Sequence, residues 1–225
     1  MYGWLKKIAD NRESGSVATG FRLKRMEFFK KLVAPLPKPV KILDVGGTDI
    51  FWERMGLAGD GRYQIVFLNT DSMPPVRYDN LTGMSGDARD LSQFKDRSFD
   101  VVFSNSVIEH VGGPEDRIKM ASEVRRVGSR YFVQTPNKWF PIEPHFLFPF
   151  FQFLPLRAKV FLLRRFHLGW YQKQPDRQKA EELARSIELL TRRDLAALFP
   201  GGAVREEKCF GLVKSFTIYH GFEAR

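Results

Sequence analysis

Two stretches of this 225-residue chain set a carboxylate beside an imidazole: Glu109-His110 inside "SNSVIEHV" and Glu143-Pro144-His145 inside "FPIEPH". Imidazole changes charge between about pH 5 and 8, so either histidine can take a proton from an acceptor hydroxyl or amine near neutrality. His145 is the first choice for that base and His110 its rival, with Glu109 beside them. A structural hydrogen bond is the alternative reading of His145, and helix capping that of Glu109 and His110. His167 and His220 stand in no motif and read as surface or packing residues. No set of histidine, cysteine and acidic residues has usable metal-ligand spacing, so no metal is expected.

A second chemical signal is "ILDVGGTDIF", residues 42 to 51, where a short apolar run ends in an acid and two glycines. Such a turn lets backbone N–H groups approach a ligand closely. Gly46-Gly47-Thr48 does not match the G-x-G-x-x-G of dinucleotide sites. Its flanking acids, Asp44 and Asp49, suit a pyrophosphate poorly and a cationic amino group well. That argues against NAD and for S-adenosylmethionine.

These residues need a frame. Phe21, Leu23, Met26, Phe29, Leu32 and Val33 recur near helical spacing, so the chain up to about Pro35 reads as helix, stopped by "PLPKP". Buried strands are expected at 40–45, 63–69, 99–105 and 130–135, with a weaker one near 81–87. "GGPEDRIKMASEVRRVG" carries helix start and stop signals in the right order. Strands without polar alternation, separated by helices, imply a parallel sheet covered on both faces. Asp44 to Thr48, Asn69 to Asp71, Asp87, Asn105 to His110 and Thr135 to Asn137 each follow a strand. They should therefore converge on the sheet edge where open α/β folds bind ligands. Thr191 and Asp194 cap a later helix, and two short strands joined around Gly211 should close the sheet with an antiparallel edge.

The ordered set resembles a class I S-adenosylmethionine-dependent methyltransferase of the type 11 kind. The "D-x-G-x-G" turn of that group reads Asp44-Val45-Gly46-Gly47-Thr48 here, with Thr48 in place of the second motif glycine. "DRSFDVVFSNSVIEHV" is similar to its fourth strand and following loop, and "GDARDL" to the loop after its third strand. The resemblance covers residues 38 to 140 strongly and the C-terminal strands by topology alone. It implies that Asp44 and Gly46 contact the methionine moiety of the cofactor, with Gly47 shaping the turn. Asp87 and Ala88 would flank the adenine, and Asn105 would lie near the sulfonium. Where the family places an acid for the ribose hydroxyls, "FLNTD" offers Asn69 or Asp71. The fold class implied is a Rossmann-like, doubly wound, mostly parallel α/β sheet with an antiparallel C-terminal edge.

One domain over 1–225 is expected: an N-terminal helical segment (1–37), a cofactor-binding core (38–140), a lid or substrate-binding insertion (141–177), and a C-terminal helix and strands (178–225). In the insertion, phenylalanines 146, 148, 150, 151 and 153 precede Arg157, Lys159, Arg164 and Arg165. Aromatics beside cations suit an anionic lipid interface, a lipid-linked glycan or stacked bases. The plainer reading buries the rings and solvates the cations. The chain has 36 Lys and Arg against 26 Asp and Glu, a formal net charge of +10, which favours anionic partners or simply solubilises the surface. One cysteine precludes an internal disulfide framework. No signal-peptide pattern opens the chain, and the longest uncharged apolar stretch, 146–156, is far short of the roughly 20 residues that span a bilayer. The expected setting is cytoplasmic, with peripheral membrane contact.

The expected reaction is methyl transfer to an oxygen or nitrogen of a small-molecule, glycan or lipid-type acceptor. An RNA methyltransferase is disfavoured by the absence of a "DPPY"- or "NPPY"-like stretch after the fourth strand. A non-catalytic binding module is permitted by Thr48 and Asn69, and an NAD enzyme ranks third. Oligomeric state is open.

Overall fold

The computed structural model describes residues 15–70 and 76–222. The N-terminal helix α1 spans Val17–Val33, and Ser16 caps it by accepting from the Thr19 N–H. Five strands then follow in parallel: β1 (Val40–Val45), β2 (Tyr63–Asn69), β3 (Leu81–Ser85), β4 (Val101–Asn105) and β5 (Tyr131–Pro136). Helix α2 (Asp49–Arg54) follows β1, and α3 (Pro114–Val127) joins β4 to β5. After the insertion come α6 (Arg192–Leu198), β8 (Ala203–Cys209) and β9 (Leu212–His220). Both last strands pair antiparallel, and the seven-stranded order is β3-β2-β1-β4-β5-β9-β8. The expected α/β sheet with an antiparallel C-terminal edge is thus what the chain forms.

Alternation along each strand assigns side chains to two cores, since successive residues point to opposite faces. Val40, Ile42, Ile65, Phe67, Val101, Phe103 and Phe132 meet Met26, Phe29 and Val33 of α1 and Trp52 of α2. Leu43, Val45, Val102, Val133 and Ile218 meet Met120, Val124 and Val127 of α3 and Leu195 of α6. The sheet is therefore covered on both faces, which is why its strands read as apolar runs without polar interruption.

Helix α1 is also held by a buried charge. Arg25 pairs with Glu207 at 2.5 Å, bonds Gln134 Oε1 at 3.2 Å and donates to Asn105 Oδ1. One guanidinium thereby ties α1 to β4, β5 and β8. Nothing in the helical periodicity of α1 marked Arg25 as inward-facing.

The insertion has its own small core. It contains β6 (Ile142–Glu143), β7 (Phe148–Pro149), a 3-10 turn (Phe151–Phe153), α4 (Leu156–Arg165) and α5 (Arg177–Arg185). Phe146, Phe151, Val160, Leu163, Leu168, Ala180 and Ala184 pack together. Its first aromatics therefore divide: Phe146 and Phe151 are buried, whereas Phe150 and Phe153 are exposed. Because Ala180 and Ala184 of α5 belong to this core, the insertion runs past residue 177. It rejoins the sheet where Lys138 N–H bonds Leu190 O at 3.0 Å. No helix among the described residues is long and apolar enough to cross a membrane.

Candidate active site

The strand order reverses between β1 and β4, and in open α/β sheets ligands bind at such a switch point beyond the strand C-termini. A cleft of about 450 Å³ opens there. Its walls come from Val45 and Gly46 at the end of β1, Leu68 to Thr70 at the end of β2, Gly86 to Arg89 after β3, and Ser106, Val107 and His110 to Gly112 after β4. Gly46 has φ of +80°, and a Cβ there would lie 2.4 Å from Val107 Cγ2, so only glycine fits. Ser106 also takes positive φ, at 57°, a strained state for a non-glycine residue that turns the β4 loop into the cleft.

Four of the cofactor residues expected from the sequence line this cleft: Gly46, Asn69, Asp87 and Ala88. Asp87 is held at the rim by Arg89, whose hydrogen bonds keep the carboxyl below its ordinary pKa and thus anionic. Three others sit elsewhere. Asp44 was expected against the ligand, yet it is buried under the turn, with Oδ2 accepting from Trp52 Nε1 at 2.8 Å. Burial raises its pKa to about 7 despite the Trp52 bond. Gly47 covers this carboxyl so closely that a Cβ would stand 1.8 Å from Asp44 Oδ2. Asn105, expected near the sulfonium, is instead engaged by Arg25 beneath α1. Asp71 lies outside the described residues, so Asn69 is the ribose candidate seen on the wall. Thr48, which stands where the family turn has glycine, is the N-cap of α2, and its backbone is extended (φ −140°). No glycine is needed at that position.

The three catalytic candidates do come together. His110 Nε2 is 3.0 Å from His145 Nε2, with the rings edge-on at 89°. His145 Nδ1 lies 2.7 Å from Glu143 Oε1. Glu143 is fixed in turn, because its Oε2 accepts the backbone N–H of His145 at 2.8 Å and of Phe146 at 2.7 Å. Glu109 is buried; its Oε2 accepts from Thr135 Oγ1 at 2.9 Å, and its Oε1 is 4.0 Å from His145 Nε2. The loop carrying His145 is clamped from outside by Trp170, which bonds His145 O and Pro144 O. Gly169 makes that approach possible, since a Cβ there would lie 2.4 Å from His145 O.

One order differs from expectation. His145 was placed at the mouth with His110 as rival, but His110 lines the cleft and His145 stands behind it. Desolvation by the surrounding loops, although the residue is partly exposed at the cleft wall, and the neighbouring His145 charge lower the His110 pKa to about 4. Burial also opposes charge on His145, but the Glu143 hydrogen bond and the charges of Glu143 and Glu109 outweigh it and raise its pKa. Burial raises Glu109 to about 7. An additional proton taken up by the pair of rings therefore rests on His145. Glu143 carried no role in the sequence reading beyond adjacency; its buried carboxylate is the residue that reading missed. Glu109, His110 and His145 also offer three ligand atoms within 4.8 Å of one another. No local spacing betrayed that set, because it joins loops 35 residues apart.

Residues 65–130 match the family model described as a methyltransferase domain. That segment, β2 to the start of β5, is similar to a methyltransferase domain, in agreement with the resemblance carried by the glycine turn and the loops after β3 and β4. Two uncharacterised proteins from strains of Mycobacterium tuberculosis are 38% identical to the domain over 65 residues, 29% of this chain. The match spans only 22% of the length of those curated relatives. Among solved structures, a Pyrococcus horikoshii protein shares the fold at 19% identity and a TM-score of 0.52, covering 91% of each chain. Phosphoethanolamine N-methyltransferase 2 of Haemonchus contortus, solved with S-adenosyl-L-methionine, shares it at 16% identity and a TM-score of 0.53. That likeness covers 81% of this chain and 38% of the other.

The cleft fits that cofactor. The Gly46 turn brings backbone close, while Asn69, Asp87 and Ala88 supply an amide, a carboxylate and a small apolar surface for a nucleoside. Gly46, Asn69, Asp87 and Ala88 are the residues that would hold it.

Proposed function

We propose that the protein methylates an oxygen or nitrogen nucleophile on a small-molecule, glycan or lipid-type acceptor, which enters beside His110. The observation that carries this reading is the Glu143–His145–His110 chain ending on the cleft wall. Bound in the cleft, S-adenosylmethionine supplies an electrophilic methyl group on a cationic sulfur. The chain's own residues handle the proton and the alignment. With Nδ1–H of His145 donated to Glu143, His145 Nε2 accepts the Nε2–H of His110. That tautomer leaves a lone pair on His110 Nδ1 for the acceptor proton. As His110 takes it, its Nε2 proton passes to His145, where Glu143 stabilises the imidazolium. Positioning does the rest, since orientation is the main contribution available to a direct displacement.

The acceptor preference rests on the insertion. Trp139 stacks on Phe153 at 5.3 Å, and both are exposed with Phe150, Phe161 and Phe166. Arg157, Arg164 and Arg165 lie on the same segment as those rings. Exposed aromatics interleaved with cations suit an anionic or amphipathic acceptor met at a lipid surface.

Thermal unfolding with S-adenosylmethionine, S-adenosylhomocysteine and NAD in parallel tests the cofactor side. A ligand at 100 times its dissociation constant adds about 2.7 kcal/mol. Stabilisation by the first two alone is expected. No shift with either would move the weight to a non-catalytic binding module.

A further inference from the structure

We propose that Glu109, His110 and His145 form a binding site for one divalent transition-metal ion of the zinc, cobalt or manganese class. Two independent observations carry it. The first is geometry: two nitrogens each about 2.1 Å from one ion stand about 3.0 Å apart when they subtend a right angle. His110 Nε2 and His145 Nε2 are separated by 3.0 Å. The Glu109 Oε1 atom, 4.0 Å from His145 Nε2, completes a set of three ligand atoms. The second is an orphan: Glu109 Oε1 is buried with no hydrogen-bond partner among the described residues, although the other oxygen of that carboxylate is satisfied by Thr135. A buried, half-paired carboxylate is costly unless a cation or donor completes it.

The surroundings agree with this use. Glu143 accepts from His145 Nδ1, the carboxylate–histidine arrangement that fixes the tautomer with its lone pair on Nε2 and strengthens the ligand. Two imidazoles and one carboxylate suit zinc, cobalt or manganese and leave open coordination positions. His110 lines the cleft, so an open position faces the acceptor. An ion held there would make an acceptor hydroxyl more acidic, so that its proton would leave to bulk water without a protein base. In the metal-loaded protein the ion then replaces the histidine relay as the means of activating the nucleophile. That catalytic consequence rests on the methyl-transfer reading, whereas metal binding itself does not.

The test uses the full chain, stripped with chelator and titrated with Co²⁺ while visible absorption is followed, with Zn²⁺ as competitor. One Co²⁺ per chain with ligand-field bands, displaced by Zn²⁺, is expected. Glu109→Gln, His110→Gln and His145→Gln should each weaken Co²⁺ binding by about 100-fold or more, and Glu143→Gln by about 10-fold or more. Cys209→Ser controls for the lone thiol and should bind as the wild type does. Circular dichroism of each variant separates loss of ligand from loss of fold, and the conservative Glu143→Gln, which is not a ligand, keeps the test open should a ligand variant unfold. Absence of stoichiometric Co²⁺ and Zn²⁺ binding by the folded wild type overturns the proposal, as does unchanged affinity in both histidine variants. Stabilisation by S-adenosylmethionine is scored separately, so failure of the metal site and failure of the methyl-transfer reading are distinguishable.

Discussion

At the scale of single residues, this site works by deciding where a proton rests. Glu143 is buried, doubly bonded by backbone N–H groups and in contact with His145 Nδ1, so its charge acts on His145 with little solvent screening. Glu143→Gln should lower turnover by about 100-fold, within the range of a lost general base, while leaving S-adenosylmethionine affinity unchanged. A parallel fall of turnover and cofactor affinity would make Glu143 merely structural. Asp44 makes a second residue-level point. Its pKa is raised to about 7 by burial, so the folded state holds a proton that the unfolded state releases near the ordinary aspartate value of 3.8. Stability from this group is therefore fully present below about pH 4 and is lost as pH rises through about 7. Thermal unfolding of wild type and Asp44→Asn from about pH 4.5 to about pH 8 should show the wild type losing ground to the variant as pH rises. Parallel curves would mean that Asp44 does not titrate in that window. The acid before the glycines was legible in the sequence. Its orientation was not, because the choice between ligand and Trp52 is made by packing of α2.

At the scale of elements, the two cover pieces are attached by different physics. Helix α1 presents Met26, Phe29 and Val33 to the sheet, but its register is also held by Arg25, which has a side chain only 8% exposed and paired with Glu207. Burial would raise the Glu207 pKa, yet Arg25 outweighs it and keeps the carboxyl anionic. Removing one partner of a buried pair leaves an uncompensated charge, so Arg25→Met should cost about 3–5 kcal/mol in urea unfolding. Arg25→Met combined with Glu207→Gln should recover most of that loss. A loss for Arg25→Met well under 1 kcal/mol would show that the apolar face alone seats α1. The strands were readable to within about two residues because a parallel sheet buried on both faces forces apolar runs. The capping box at Thr191 and Asp194 was equally readable, since it is local chemistry. Helix α5 was not read from the sequence, because Ala180 and Ala184 carry no signal of whether they pack on α4 or on the sheet.

At the scale of the whole molecule, charge and exposed aromatics lie together on the insertion, the segment that also carries His145. If the acceptor is met at a lipid surface, the chain should co-sediment with vesicles containing phosphatidylserine and release as salt is raised. Phe161→Ser with Phe166→Ser should weaken that association while leaving cofactor binding intact, since both rings are exposed on or next to α4. Equal binding to neutral vesicles would remove the electrostatic part of the reading, and no binding to either would remove the surface altogether.

The sequence by itself determined the sheet, the glycine turn and the convergence of loops on one edge. Periodicity, turn chemistry and the handedness of crossovers are local or topological rules that composition obeys everywhere along the chain. Tertiary structure alone decided that His110 faces the cleft with His145 behind it, that Glu143 holds the charge there, and that Glu109 keeps one oxygen unpaired. Those facts are distances between loops that are remote in sequence, and burial sets the protonation of each group. Both are properties of packing, which no residue carries on its own.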